Sequence, residues 1–258
     1  MARPRHDHDA GGPAELLKAK AGLRDDIWAA LRAAKAIRFP GPEGRIPNFV
    51  GAEAAAERLR GTEPWRVAAT VKANPDSPQW PVRQRALEDG KLLFMAVPRL
   101  AEEEPFLLLD PERLAGSARE ASSIKGASKS ARPVGLDRLE PVDLVVAGTV
   151  AAGLDGARLG KGGGFSDLEF AVASEAGLIG SNTLVVTTVH EVQVLPAGAI
   201  PTTDHDVRVD LIVTPERIIE CRPPEGRRRS PGRIRWDELT DGKIAAIPLL
   251  ARLHAAGR

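Results

Sequence analysis

Leu16, Leu17, Leu23, Ile27, Trp28 and Leu31 form an apolar stripe that predicts an amphipathic helix from Ala14 to about Ile37. The breakers Phe39-Pro-Gly-Pro42 end it, and a shorter helix rich in alanine and leucine is predicted from Gly51 to Arg60. Beyond that point the stripes give way to short apolar runs. Val67-Ala-Ala-Thr-Val-Lys72 reads as a buried strand closed by the Asn74-Pro-Asp-Ser-Pro78 turn. A helix from Pro81 to Gly90 leads to a strand at Leu92-Leu-Phe-Met-Ala-Val97. Val142-Asp-Leu-Val-Val-Ala147 is almost continuously apolar and β-branched, as a parallel strand covered on both faces should be. A glycine-rich loop follows, then a helix from about Asp167 to Ala176 and strands at 183–189, 207–213 and 217–220. This alternation predicts an α/β fold with an open, mainly parallel sheet and helices on both faces. Ligands of such sheets gather at the carboxyl ends of the strands.

The two ends of the chain read differently. Residues 1–13 mix His, Asp, Gly and Pro and are expected to form a disordered arm, whose His6 and His8 lack a preorganised metal cage. Residues 14–221 form the α/β domain. In 222–258, a Pro/Gly/Arg linker with Arg227-Arg-Arg-Ser230 precedes Trp236 and an apolar helical segment, Ile244 to Leu253, expected to pack back on the domain.

Composition narrows the classes. A chain of 258 residues that is 43% hydrophobic and 28% charged can bury a sizeable core. The net charge of +1 offers no basic field for nucleic acid, and the arginine run reads as a solvated hinge. A single cysteine, Cys221, excludes an internal disulfide framework. No run reaches the roughly 20 apolar residues of a membrane helix, and no secretory signal opens the chain. A cytoplasmic protein with a small-molecule substrate and no membrane partner is the expectation.

The candidate chemistry lies in Arg158-Leu-Gly-Lys-Gly-Gly-Gly-Phe-Ser-Asp167. Gly160, Gly162, Gly163 and Gly164 let backbone N–H groups approach an anion, and the following helix adds its positive end. Arg158 and Lys161 bring two cations to the same place. The spacing matches neither the Walker-type loop nor the dinucleotide fingerprint. Asp167 reads either as a helix cap or, beside phosphates, as a magnesium ligand. Asp206, within the cluster Asp204-His-Asp206-Val-Arg-Val-Asp210, would share that metal if both strands end at one sheet edge. Lys20 and Arg24 lie on one helical face, as solvated charge or as phosphate ligands.

Lys20-Ala-Gly-Leu-Arg24, Asp143-Leu-Val-Val-Ala-Gly148, Gly156-Ala-Arg-Leu-Gly-Lys-Gly-Gly-Gly-Phe-Ser-Asp167, Gln193 and His205-Asp-Val-Arg-Val-Asp-Leu-Ile-Val-Thr214 together resemble the 5-formyltetrahydrofolate cyclo-ligase (5,10-methenyltetrahydrofolate synthetase) family. Arg45-Ile-Pro-Asn-Phe49, Lys72-Ala-Asn-Pro-Asp-Ser-Pro78 and the segment 236–253 are similar to its cyclo-ligase-like, methenyltetrahydrofolate synthetase domain-containing branch. The resemblance implies a three-layer α/β/α fold of the NagB/RpiA/CoA-transferase-like kind, with ATP and Mg2+ as cofactors. It implies that ATP is held by Lys20, Arg24, Arg158, Gly160, Lys161, Gly162, Gly163, Gly164, Phe165 and Asp167, and the metal by Asp167 and Asp206. Arg158 and Lys161 are the catalytic cations in this reading.

On the acceptor side the chain departs from the family pattern. Phe165-Ser166 stands where two aromatics are usual, and no acid stands near Gln79-Trp-Pro81, where the family has a pterin-gripping glutamate. Trp80, Phe106 and Phe165 are then the candidates for stacking on a flat ring. The leading expectation is closure of 5-formyltetrahydrofolate to 5,10-methenyltetrahydrofolate. The alternatives are the same ATP chemistry on a non-folate, thiamin-related acceptor, or a non-catalytic nucleotide- or RNA-binding regulator.

Overall fold

A computed structural model describes residues 12–203, 206–222 and 232–256. Residues 1–11 of the arm, with His6 and His8, the arginine run 227–230, and Asp204 with His205 lie outside the described residues, and Pro13 opens a helix instead of closing the arm. Helix α1 (Pro13–Ala33) is followed by α2 (Ala52–Arg60), α3 (Glu63–Val67), β1 (Thr70–Ala73), α4 (Trp80–Glu88) and β2 (Leu92–Ala96). Then come β3 (Phe106–Leu109), α5 (Ala118–Ala121), α6 (Ile124–Ser130), β4 (Arg132–Val134), β5 (Leu144–Val146), β6 (Ala151–Gly153) and β7 (Arg158–Leu159). The rest are α7 (Phe165–Glu175), β8 (Leu184–Thr188), β9 (Val194–Leu195), β10 (Leu211–Val213), β11 (Ile218–Glu220), α8 (Asp241–Ala245) and α9 (Pro248–Ala256).

Eight strands form one sheet in the order β11-β10-β8-β5-β1-β2-β3-β4. The run from β10 to β2 is parallel throughout, and antiparallel strands flank it on both sides. Alternate residues of each strand feed opposite faces. Val71, Ala73, Leu93, Leu144 and Val186 pack with Ala56 and Leu59 of α2 and Val82 and Ala86 of α4. Phe94, Val145, Val185 and Ile212 pack with Phe170 and Ala173 of α7. The result is the three-layer α/β/α arrangement. A second, three-stranded sheet, β7-β6-β9, carries Ala151 and Leu159, which share a cluster with Ile27 and Leu31 of α1. Helices α8 and α9 supply Ile244, Leu249 and Leu250 to a cluster that also holds Leu168 and Val172 of α7.

Four sequence expectations shift. Val67 ends α3 instead of opening a strand, because Thr62 accepts from Trp65 N and Pro64 favours a helical first turn. The strand expected over 207–213 is confined to Leu211–Val213, although Val207 and Val209 are buried. The C-terminal helix is broken in two, with Pro248 opening the second piece. The glycine-rich loop also follows β7 of the small sheet, not the central strand β5.

Asp89, just after α4, ties that helix to the end of α2 and to α3. It accepts from Trp65 Nε1 at 2.7 Å and from Arg60 Nε and NH2 at 3.0 and 2.5 Å. Burial pushes its carboxyl upward, but the Arg60 and Trp65 hydrogen bonds and the Arg60 charge outweigh it, leaving the group below the usual carboxylate range. Asp89→Ala strands the indole N–H of Trp65, which is 1% exposed, and should cost about 1–3 kcal/mol in urea denaturation at neutral pH. A lowered native pKa gives stability that is present above the unfolded value near ~3.9 and lost as pH falls through the native one. The gap between wild type and variant should therefore narrow in acid.

Candidate functional site

Chain direction fixes where a site can form. The connection from β1 through α4 reaches β2 on one side, whereas that from β5 through α7 reaches β8 on the other. The crevice between the carboxyl ends of β1 and β5 is therefore the topological switch point of the sheet. Asn74 follows β1 there and Gly148 follows shortly after β5, and Asn74 Oδ1 accepts from Gly148 N at 2.9 Å.

Beneath this junction lies a buried ion pair. Lys72 points from β1 toward α7, where its Nζ donates to Glu169 Oε2 at 2.8 Å, with side-chain exposures of 4% and 6%. Asn74 Nδ2 donates to the same oxygen at 3.0 Å, and Ser166 Oγ lies 3.4 Å from Asn74 Oδ1. One asparagine thus links β1, the segment after β5 and the first turn of α7. Its backbone is held in turn by Arg83, whose NH1 donates to Asn74 O at 2.6 Å and Asp76 O at 3.0 Å. Burial pulls the Arg83 guanidinium down to about 10, opposed by the charge of Asp76. A small cavity beside the pair is lined by Lys72, Arg158 and Ser166, with Val145, Ala147 and Phe170.

Of the predicted cations, Arg158, Arg24 and Lys161 lie at the loop above, and Lys20 pairs with Asp206. Arg158, in β7, donates to Gly148 O at 2.9 Å and to Asp167 Oδ1 at 2.5 Å, and its side chain is 3% exposed. Arg24 Nε donates to Gly160 O at 2.7 Å, and burial lowers its pKa, opposed by Asp25. Lys20 Nζ meets Asp206 Oδ2 at 2.6 Å, and Lys161 Nζ meets Asp76 Oδ1 at 2.9 Å. Gly162 and Gly164 adopt φ of +100° and +67°, and Gly164 caps α7 without a side-chain hydrogen bond. The loop can turn this tightly only with glycine at such angles, and it leaves first-turn N–H groups of α7 for an anion.

Other candidates fall elsewhere. Phe106 is 1% exposed in β3 and packs in the cluster of Ala96, Leu100 and Leu168, so the core takes the ring expected to stack on a ligand. Trp80 donates to Arg119 O and Ser122 Oγ, each at 3.0 Å, and Arg119 covers its ring at 4.7 Å from the centroid. Phe165 is half-buried, and a Cβ at Gly163 would lie 3.1 Å from its ring. Asp210 stands at the amino end of β10, accepting from Val185 N at 2.7 Å, and so belongs to the opposite end of the sheet. Gln79 is fully buried, and neither of its amide atoms has a partner among the described residues. Sequence reading missed Lys72, Asn74, Asp76 and Glu169 as a set. The available signal was a lysine inside an apolar strand and a glutamate between Leu168 and Phe170.

The profile of the 5-formyltetrahydrofolate cyclo-ligase family matches residues 17–215, a span that holds every residue of this junction. The chain belongs to that family. It is 36% identical over 239 residues to the methenyltetrahydrofolate synthase domain-containing protein of Bos taurus and 33% identical over 240 residues to that of Homo sapiens. These alignments cover 91% and 92% of this chain but 62% and 61% of the relatives. The chain therefore spans about three-fifths of the length of these curated relatives. Among solved structures it is similar to the 5,10-methenyltetrahydrofolate synthetase of Aquifex aeolicus, with a TM-score of 0.51 and 21% identity, over 80% of this chain and 95% of that one. That likeness supports the fold.

Breaking the buried pair on one side leaves an uncompensated charge. Glu169→Ala should cost about 3–5 kcal/mol, whereas replacing both partners by apolar residues of similar volume (Lys72→Met with Glu169→Leu) should recover much of it. Chemical denaturation of Lys72→Met, Glu169→Leu and the double variant measures the coupling.

Proposed function

We propose that this cyclo-ligase family member is an ATP- and magnesium-dependent ligase that phosphorylates a formyl or amide oxygen to drive ring closure. One observation carries the reading. Arg24 of α1 reaches Gly160 of the glycine loop, where Arg158 and Lys161 of the loop's own segment also stand, at the start of an 11-residue helix, and Lys20 lies one turn from Arg24 on α1. That is a site shaped for several phosphate charges.

An amide oxygen is a poor leaving group, and transfer of the γ-phosphoryl group converts it into a good one. For 5-formyltetrahydrofolate, the formyl oxygen takes the phosphoryl group and ADP leaves. The neighbouring amine then attacks the formyl carbon, and the C–O bond breaks to release inorganic phosphate and 5,10-methenyltetrahydrofolate. The protein's part is alignment and charge neutralisation. Arg158, held by Gly148 O and Asp167, is fixed before any ligand arrives, whereas Lys161 is 45% exposed and free to follow the transferring group.

This reading assigns the metal to Asp167 and Asp206. Asp167 and Asp206 offer oxygen donors with side chains 35% and 16% exposed, and each sits beside a cation that a phosphate would also attract. Among the described residues no group of three or more His, Cys, Asp or Glu could hold a metal. Magnesium is typically bound by one or two carboxylates together with substrate phosphates. When bound it would supply further neutralisation of the phosphate oxygens.

The acceptor supports a second reading, the same chemistry on a non-folate heterocycle. Phe106 is committed to the core and the ring of Trp80 to Arg119. Near the position of the family's pterin-gripping glutamate stands Gln79, a neutral amide that reads donors and acceptors differently.

Phosphate release with MgATP should be stimulated by 5-formyltetrahydrofolate, with methenyl absorbance appearing in step. Stimulation by a metabolite extract alone would move the acceptor to the second reading. Lys161→Ala should lower the rate by about 100-fold or more while leaving the thermal transition in place. An unchanged rate would sink the phosphate-loop assignment.

A further inference from the structure

The family match ends at residue 215, yet one more cation reaches the loop from beyond it. Lys243 lies in α8, where the Thr240 side chain accepts from its backbone N–H at 3.2 Å. Its Nζ stands 5.3 Å from the centre of the Phe165 ring, over the first residue of α7. A Cβ placed on Gly164 would lie 3.5 Å from the same Nζ. On the other side of the loop, a Cβ on Gly162 would lie 3.4 Å from Arg24 Cζ. The three glycines 162–164 thus run between a guanidinium from the N-terminal helix and an ammonium from the C-terminal segment.

The charge balance distinguishes these two from their neighbours. Lys20, Arg158 and Lys161 each already face a carboxylate. Arg24 spends its Nε on a carbonyl, and among the described residues neither Arg24 nor Lys243 makes an ion pair. The anion site does not rest on the helix end alone. The Nε of Arg158, in a side chain that is 3% exposed, has no partner among the described residues.

The placement of α8 is fixed by burial. Ile244 and Ile247 join Leu168, Ala171 and Val172 in one cluster, and Ile234 N donates to Glu175 Oε1 at 2.9 Å. A Cβ on Gly232 would meet Phe170 at 2.7 Å, so the returning chain presses directly on α7. Lys243 is therefore carried to the start of α7 by packing along that helix's length.

We infer that Lys243 is an anion-binding residue of the loop, contributed by the C-terminal segment, and that with Arg24 it grips the phosphates of a nucleoside triphosphate from both sides. The inference rests on the nucleotide reading above for its ligand, and on the geometry of Gly164 and Phe165 for its position. Lysine suits the role as a compact, mobile point charge whose Nζ already stands over the Phe165 ring.

Calorimetric titration with MgATP and, in parallel, with inorganic tripolyphosphate tests it on the full chain. Lys243→Met keeps the stem and removes the charge, and it should weaken MgATP by about ten-fold or more. Lys243→Arg should stay within about three-fold of wild type, because it keeps the charge. Lys243→Gln is a second neutral variant should the methionine form lose its thermal transition. MgATP affinity unchanged in a folded neutral variant overturns the inference while leaving the nucleotide site intact. If wild type binds tripolyphosphate but not MgATP, and the neutral variants lose that binding, Lys243 stands as an anion ligand and the nucleotide reading falls. Binding of neither probe by wild type overturns both.

Discussion

Everything at the switch point hangs on one buried acid, Glu169, which accepts from both Lys72 and Asn74. Taking a carboxylate and an ammonium out of water costs several kcal/mol per ion, and only close pairing with further hydrogen bonds offsets it. The chain meets that demand by spending Asn74 on three partners, of which Glu169 is one. An apolar pair would fill the same space between sheet and helix. It would not dictate which way the asparagine faces, and so would not fix Gly148 against β1. The ion pair therefore gives position more than it gives stability. The glycine loop inherits that position through Arg158, which grips the carbonyl of Gly148.

A second layer of order follows from charge matching in the open crevice. Asp76, Asp167 and Asp206 each face a cation of the loop region. A ring of bare cations would repel itself and splay the glycine loop. The carboxylates offset that repulsion and hold the loop together. The cationic groups are thus preorganised at modest cost, and their residual mobility lies in the exposed Lys161.

Much of this was legible before any coordinates. Period and composition place α1, α2, α4, α7 and the parallel strands within a few residues, because their apolar patterns are long or continuous. The glycines, Arg158 and Lys161 are local in sequence, so the candidate loop shows in the residue string. The short antiparallel strands β3 and β4 and the small sheet did not show, since two to four residues carry too little periodicity. Phe106 was misread for the same reason. An aromatic in an unrecognised strand looks available when the core has already claimed it. Lys72 with Glu169 and Arg24 with Gly160 are long-range pairings, and no spacing rule announces a partner 97 or 136 residues away.

Those separations carry a consequence for the order in which the molecule takes shape. The contacts of Lys20 with Asp206 and Arg24 with Gly160 close loops of 186 and 136 residues, and the entropic penalty of such closures must be met before any contact rewards it. The sheet core, built from strands adjacent in space and often in sequence, can stand first. The site is then sealed from both ends of the chain, by α1 on one flank and α8 on the other. A chain cut short after the sheet would keep most of its hydrophobic core and arrive with its loop gripped on one side only.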